Sequence, residues 1–175
     1  MVKYRVSYDA GQCLVIAPRK TALHLAAGKG LVAVVDMLLT AGAKLDVTDQ
    51  EGWTPLHESI TYAGSDVEAT SVIVSKFCSA MSHDKSFIDR QTMDGETALH
   101  MAARFGRRHA VDTLLEFKPN LEIKDNDGWI PLHSAVKVEP QIVRTIISAI
   151  STSKQVAYVY LLFRHYCCDY IHWKS

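Results

Sequence analysis

The chain has 175 residues with 19 basic and 19 acidic side chains, a formal net charge of zero, and 48% hydrophobic residues. This balance argues against nucleic acid or an anionic membrane as partner, and the apolar content suffices for a core in one domain. The apolar run Val156 to Phe163 falls well short of the roughly 20 residues of a membrane helix. Cys13 to Ala17 is likewise too brief for a secretory signal core, and Cys13, Cys78, Cys167 and Cys168 fit free thiols in a reducing compartment better than a disulfide framework.

Residues 1–16, with Tyr4, Val6, Leu14 and Val15, read either as a short extended cap or as the remnant of an upstream unit. A tetrapeptide then recurs as Thr21-Ala22-Leu23-His24, Thr54-Pro55-Leu56-His57, Thr97-Ala98-Leu99-His100 and Ile130-Pro131-Leu132-His133, at intervals of 33, 43 and 33 residues. Self-similarity at such a period means units that cannot bury their apolar faces alone and must stack. Gly52, Gly95 and Gly128 lie two residues before each later tetrapeptide, where a reversing chain needs positive φ. The hydroxyls of Thr21, Thr54 and Thr97 can cap a helix that starts at the tetrapeptide, and Pro55 and Pro131 suit its first turn.

In each unit the apolar spacing predicts two short helices. Ala26-Ala27 and Ala102-Ala103 allow close packing in the first helix, while Val34-Val35, Leu38-Leu39, Ala110-Val111 and Leu114-Leu115 supply the apolar face of the second. The second unit is ten residues too long. Six of these fall between His57 and Ile73, as a longer connection or an extra N-terminal turn of the second helix around Ala63 to Ala69; four fall in a longer loop through Ser82 to Ser86. Residues 151–175 form an aromatic, apolar tail, either a helix covering the last unit or a stray terminus.

Together the tetrapeptides, the turns Asp49-Gln50-Glu51-Gly52-Trp53, Met93-Asp94-Gly95-Glu96 and Asp125-Asn126-Asp127-Gly128-Trp129, and the Val-Val and Leu-Leu pairs resemble the ankyrin repeat. The resemblance implies an all-α solenoid of helix-turn-helix units joined by β-hairpin-like loops. Its repeats fall at about 17–48, 49–91, 92–124 and 125–150, flanked by the extension 1–16 and the tail 151–175. Two departures stand out. Arg19 and Ile16 occupy the Gly and Asp positions of the first hairpin, and Lys118-Pro119 replace the Gly-Ala that normally turns one unit into the next, where strain is expected.

His24, His57, His100 and His133 share the fourth tetrapeptide position, where the resemblance implies a ring bonded to the neighbouring loop's backbone. One histidine per unit cannot converge on a metal. In the tail, His165, Cys167, Cys168 and His172 are ligand types without the paired spacing of a zinc site. With no nucleophile motif and no phosphate-cradling loop, neither catalysis nor a cofactor is expected.

Recognition is the remaining role. By resemblance the concave face is built from hairpin tips and the exposed ends of the first helices. The partner-binding candidates are Gln50, Glu51, Trp53 and Tyr62 in the second unit, Met93, Asp94, Glu96, Arg104 and Phe105 in the third, and Asn126, Asp127 and Trp129 in the fourth. Helix-end neighbours Gly28, Lys29, Thr61, Lys137 and Val138 join them. Each Trp either faces a partner or packs on its neighbouring hairpin. The resemblance thus implies a monomeric, non-catalytic adaptor for a protein partner in the cytoplasm or nucleus. The alternative is the repeat segment of a larger protein: a channel, a ubiquitin-ligase adaptor, a transcription-factor inhibitor or a tankyrase-like ADP-ribosyltransferase.

Overall fold

The structure, a computed structural model, describes residues 15–16, 19–62, 67–81, 84 and 86–151. Expectations for the N-terminal extension before Val15 and for the tail, including its His and Cys residues, lie outside the described residues. Among the described residues eight helices form four antiparallel pairs: α1 (Ala22–Gly28) with α2 (Val32–Thr40), α3 (Pro55–Tyr62) with α4 (Val67–Ala80), α5 (Ala98–Arg104) with α6 (Arg108–Glu116), and α7 (Pro131–Val136) with α8 (Pro140–Ser151). First helices stack on first helices and second on second, which makes two layers. The described residues therefore form an all-α solenoid with hairpin loops projecting from one edge.

Each first helix begins at the tetrapeptide for a local reason. The His24 and His100 amides reach the hydroxyls of Thr21 and Thr97 at 3.4 Å, and the Thr21 and Thr97 amides donate back to the histidine Nδ1 at 3.2 Å. This reciprocal cap satisfies donors that would otherwise be orphaned at the helix start. The Ile130 amide keeps its half of the arrangement, donating to His133 Nδ1 at 3.1 Å.

The hairpins obey one hydrogen-bond plan. The Asp49, Thr92 and Asp125 amides donate to the Trp53, Glu96 and Trp129 carbonyls at 2.9, 2.9 and 2.8 Å. Asp49 Oδ1 and Asp125 Oδ1 each take two further backbone amides of their own turn. At the same place in the degenerate first hairpin, β1 (Val15–Ile16) pairs with β2 (Lys20–Thr21), and Arg19 turns the chain at φ 62° without a glycine. Lys118 likewise adopts φ 55°, the strained backbone expected at the Lys-Pro turn.

One continuous apolar core runs through the stack. Leu23, Leu56, Leu99 and Leu132 of the tetrapeptides lie in it beside Val35, Ile73, Val111, Leu114, Ile142 and Ile146. Of the four leucines expected to fill the second layer only Leu114 is fully buried; Leu38, Leu39 and Leu115 pack at its margin, because that layer turns one side to solvent. The ten extra residues of the second unit appear partly as helix, α4 having 14 residues against nine in α2 and α6. Ala69 and Thr70, one turn ahead of Ile73 and Val74, are buried, so the added N-terminal turn extends the core.

Candidate interaction surface

Adjacent hairpin tips are stitched by their main chains. The Met93 amide donates to the Glu51 carbonyl at 2.9 Å, and the Asn126 amide to the Asp94 carbonyl at 3.0 Å. Asn126 Nδ2 adds a bond to the Met93 carbonyl at 2.8 Å. Such close approach gives the turn glycines a second duty beyond positive φ. A Cβ on Gly95 would stand 2.7 Å from the Asn126 amide nitrogen and one on Gly52 3.0 Å from that of Met93, whereas a Cβ on Gly128 would meet nothing within 4 Å. All three have φ between 77° and 81°.

The tetrapeptide histidines lock the hairpins to the helices. Nδ1 of His24 and His100 accepts from the Thr21 and Thr97 amides, so Nε2 carries the proton and donates to the Trp53 and Trp129 carbonyls at 2.9 Å. The inter-unit bond implied by the resemblance is therefore present at the first and third junctions. His57 departs from it. It binds Thr54 through Nδ1 (2.8 Å to the hydroxyl), but its Nε2 lacks a hydrogen bond of good geometry. The second unit's insertion separates His57 from the matching carbonyl, that of Glu96, by ten more residues than at the other junctions. Burial dominates its pKa, lowering it to about 4, with the backbone of Arg90 and Glu96 offsetting this only in part. Burial also lowers His24, His100 and His133, and pushes the buried Cys78 thiol up to about 12, which makes it unreactive.

Lys20, Trp53, Glu96 and Trp129 occupy the position before each tetrapeptide, and Gly28, Thr61, Arg104 and Lys137 stand seven residues after each tetrapeptide's start. In the third and fourth units these two positions touch each other. Arg104 Nη2 meets Glu96 Oε2 at 2.8 Å, and Lys137 Nζ sits 3.8 Å from the centroid of Trp129. In the second unit Thr61 offers no charge, and Trp53 receives its cation from the preceding unit: Lys20 Nζ lies 5.9 Å from the ring and pairs with the buried Glu58 carboxylate. Burial raises the pKa of Glu58 and Glu96, opposed by Lys20 and Arg104 respectively.

A groove of about 410 Å³ opens between the third and fourth units, lined by Asp94, Glu96, Arg104, Asn126, Asp127 and Trp129 together with Asp125, Ser134, Lys137 and Val138. Half of the twelve candidates thus converge there. Met93 and Phe105 lie on the same units outside the lining, Met93 69% exposed and Phe105 39% exposed beneath the Arg104 guanidinium at 4.5 Å. Gln50, Glu51 and Trp53 belong to the second hairpin, where Trp53 is half-buried against the core. Tyr62 ends α3, and its side chain lies outside the described residues.

Lys20, Glu58 and Thr92 had escaped sequence reasoning. Lys20 and Thr92 could have been found by aligning the units, since they hold the pre-tetrapeptide and hairpin-acceptor positions. Among the described residues no cluster of His, Cys, Asp or Glu could hold a metal ion, and no helix is long and apolar enough to cross a membrane.

The family model for ankyrin repeats (3 copies) matches residues 1–84 and 63–156. The chain is similar to palmitoyltransferase AKR1 of Lachancea kluyveri, 37% identical over 128 residues that make up 73% of this chain and 17% of that protein. Inversin of Mus musculus is 34% identical over 129 residues, 73% of this chain and 11% of inversin. Human ankyrin repeat and SOCS box protein 3 is 36% identical over 92 residues, 53% of this chain and 16% of that protein. The chain therefore spans less than a fifth of the length of these relatives.

Proposed function

Because the chain belongs to the ankyrin-repeat family, whose repeats are protein-interaction modules, we propose that it is a non-catalytic intracellular adaptor. Its concave face, centred on the groove between the third and fourth units, docks a protein partner. The observation that carries this reading is the convergence of Trp129, Lys137, Glu96 and Arg104 on one open groove beside exposed Met93, Phe105 and Val138. Aromatic and arginine side chains with exposed apolar neighbours are the composition of binding hot spots. Chemistry is a poor fit, because Glu96 and Arg104 are tied to each other and Asp125 to the hairpin backbone. A second reading, that these repeats are the recognition segment of a longer effector protein, draws support from relatives in which the aligned part is 11–17% of the length.

Affinity capture from cell extract tests the proposal, comparing the wild-type chain with a Trp53→Asp, Trp129→Asp variant of unchanged helicity. A protein retained by the first and lost by the second is the expected result. Identical captured sets would return both Trp residues to a packing role.

A further inference from the structure

The concave face is polarised across its width. Glu51, Asp94 and Asp127 each stand immediately before a turn glycine, one per hairpin, and all three are exposed. None takes part in an ion pair among the described residues. Their hairpins are held in register by the Met93-to-Glu51 and Asn126-to-Asp94 main-chain bonds, so the carboxylates form a rigid row. Apart from Lys29 at the end of α1, the cations of the face are committed elsewhere: Arg104 is neutralised by Glu96, Lys20 by Glu58, and Lys137 is spread over Trp129. In the groove lining, Asp94, Glu96, Asp125 and Asp127 outnumber Arg104 and Lys137, although the chain as a whole carries no net charge. Apolar surface runs alongside, with Met93 69% and Val138 46% exposed.

The geometry points to an extended, basic segment of a partner protein as the occupant of this groove, an inference that rests on the docking reading above. The spacing follows from the hairpin ladder. Two strands per hairpin at about 4.8 Å each place successive carboxylates roughly 10 Å apart, close to one turn of the extended polyproline II conformation, whose three residues at about 3.1 Å bring every third side chain back to the same face. A segment with Lys or Arg at every third position therefore meets Glu51, Asp94 and Asp127 in turn. Its intervening side chains reach Met93 and Trp129. A helical or compact basic partner cannot match this row, and an acidic one meets like charge along it.

The test uses labelled synthetic peptides and fluorescence polarisation with the full chain. One peptide carries three lysines at every third position among Gly, Ser and one Leu, a second has the same composition with the lysines contiguous, and a third replaces each lysine by Glu. The spaced peptide is expected to bind about tenfold tighter than the contiguous one. It should weaken about tenfold in a D94N/D127N variant, and lose affinity between about 50 and 200 mM salt. No saturable binding of the spaced peptide, equal binding of the contiguous one, or no effect of D94N/D127N would overturn the inference. Binding of the Glu peptide, lost in an R104Q/K137Q variant, would overturn it while leaving the groove as a docking surface; the Trp-dependent capture reads that broader claim independently.

Discussion

Three turn glycines share the same backbone conformation and differ only in what stands beside them, which makes their replacement by alanine a graded test of the hairpin ladder. All three pay the left-handed penalty of about 1–2 kcal/mol, reduced by the roughly 0.4–1 kcal/mol that alanine removes from unfolded-chain entropy. At Gly128 nothing lies within 4 Å of the new Cβ, so Gly128→Ala should cost only about 1 kcal/mol. At Gly95 the methyl would stand 2.7 Å from the Asn126 amide nitrogen and 3.0 Å from the Asp125 carbonyl carbon, backbone atoms that cannot rotate away. Overpacking of about 1–3 kcal/mol and loss of the Asn126-to-Asp94 hydrogen bond, about 1 kcal/mol, bring Gly95→Ala to about 3–5 kcal/mol. Gly52→Ala, 3.0 Å from the Met93 amide nitrogen, should fall between. Urea unfolding followed by far-ultraviolet circular dichroism measures the three at unchanged m-value. Equal losses at Gly95 and Gly128 would refute the ladder as a source of stability and leave backbone conformation as the whole effect.

Acid should destabilise the stack through its buried histidines. A folded pKa lowered from 6.5 to about 4 at His57 means that the unfolded chain binds the proton first. The stability is thus present above pH 6.5 and drains away as pH falls toward 4, by about 3 kcal/mol at this site. His24, His100 and His133 add in the same direction, while Glu58 and Glu96, raised by burial, oppose it near the acid end. Unfolding free energy measured from neutral to mildly acidic pH, with His57→Asn flattening the slope, checks this; a flat profile in the parent chain contradicts it. Lys118→Gly should raise stability by up to about 1 kcal/mol by relieving φ 55°, read from the urea midpoint. Leu114→Ala should cost about 2–5 kcal/mol in one cooperative transition; a separate early transition of α6 would show that the units unfold independently.

Local chemistry made much of the fold legible. The Thr and His of the first and third tetrapeptides fix the start of the first helix, and Gly52, Gly95 and Gly128 fix the later turns, so both can be read from neighbouring residues. The longer α4 was one of two readings that the displaced apolar pair allowed, the other being a longer connection. What escaped depends on reach between units. Nothing in the spacing says that Gly95 abuts the Asn126 amide, that Lys20 crosses to Trp53 and Glu58, or that Lys137 covers Trp129 while Arg104 takes Glu96. The same holds for Leu38, Leu39 and Leu115, whose partial burial follows from the outer position of their layer. His57 shows the limit from the other side: its motif is intact, yet past the insertion its Nε2 lacks the hydrogen bond of good geometry that His24 and His100 make.

The concave face is tested most directly by hydrogen–deuterium exchange on the chain with and without a captured partner. Protection should concentrate in the hairpin tips 93–96 and 126–129 and at the ends of α5 and α7, leaving α2 and α6 unchanged. Protection along α2, α4 and α6 with the tips unaffected would place the partner on the opposite layer and contradict the account.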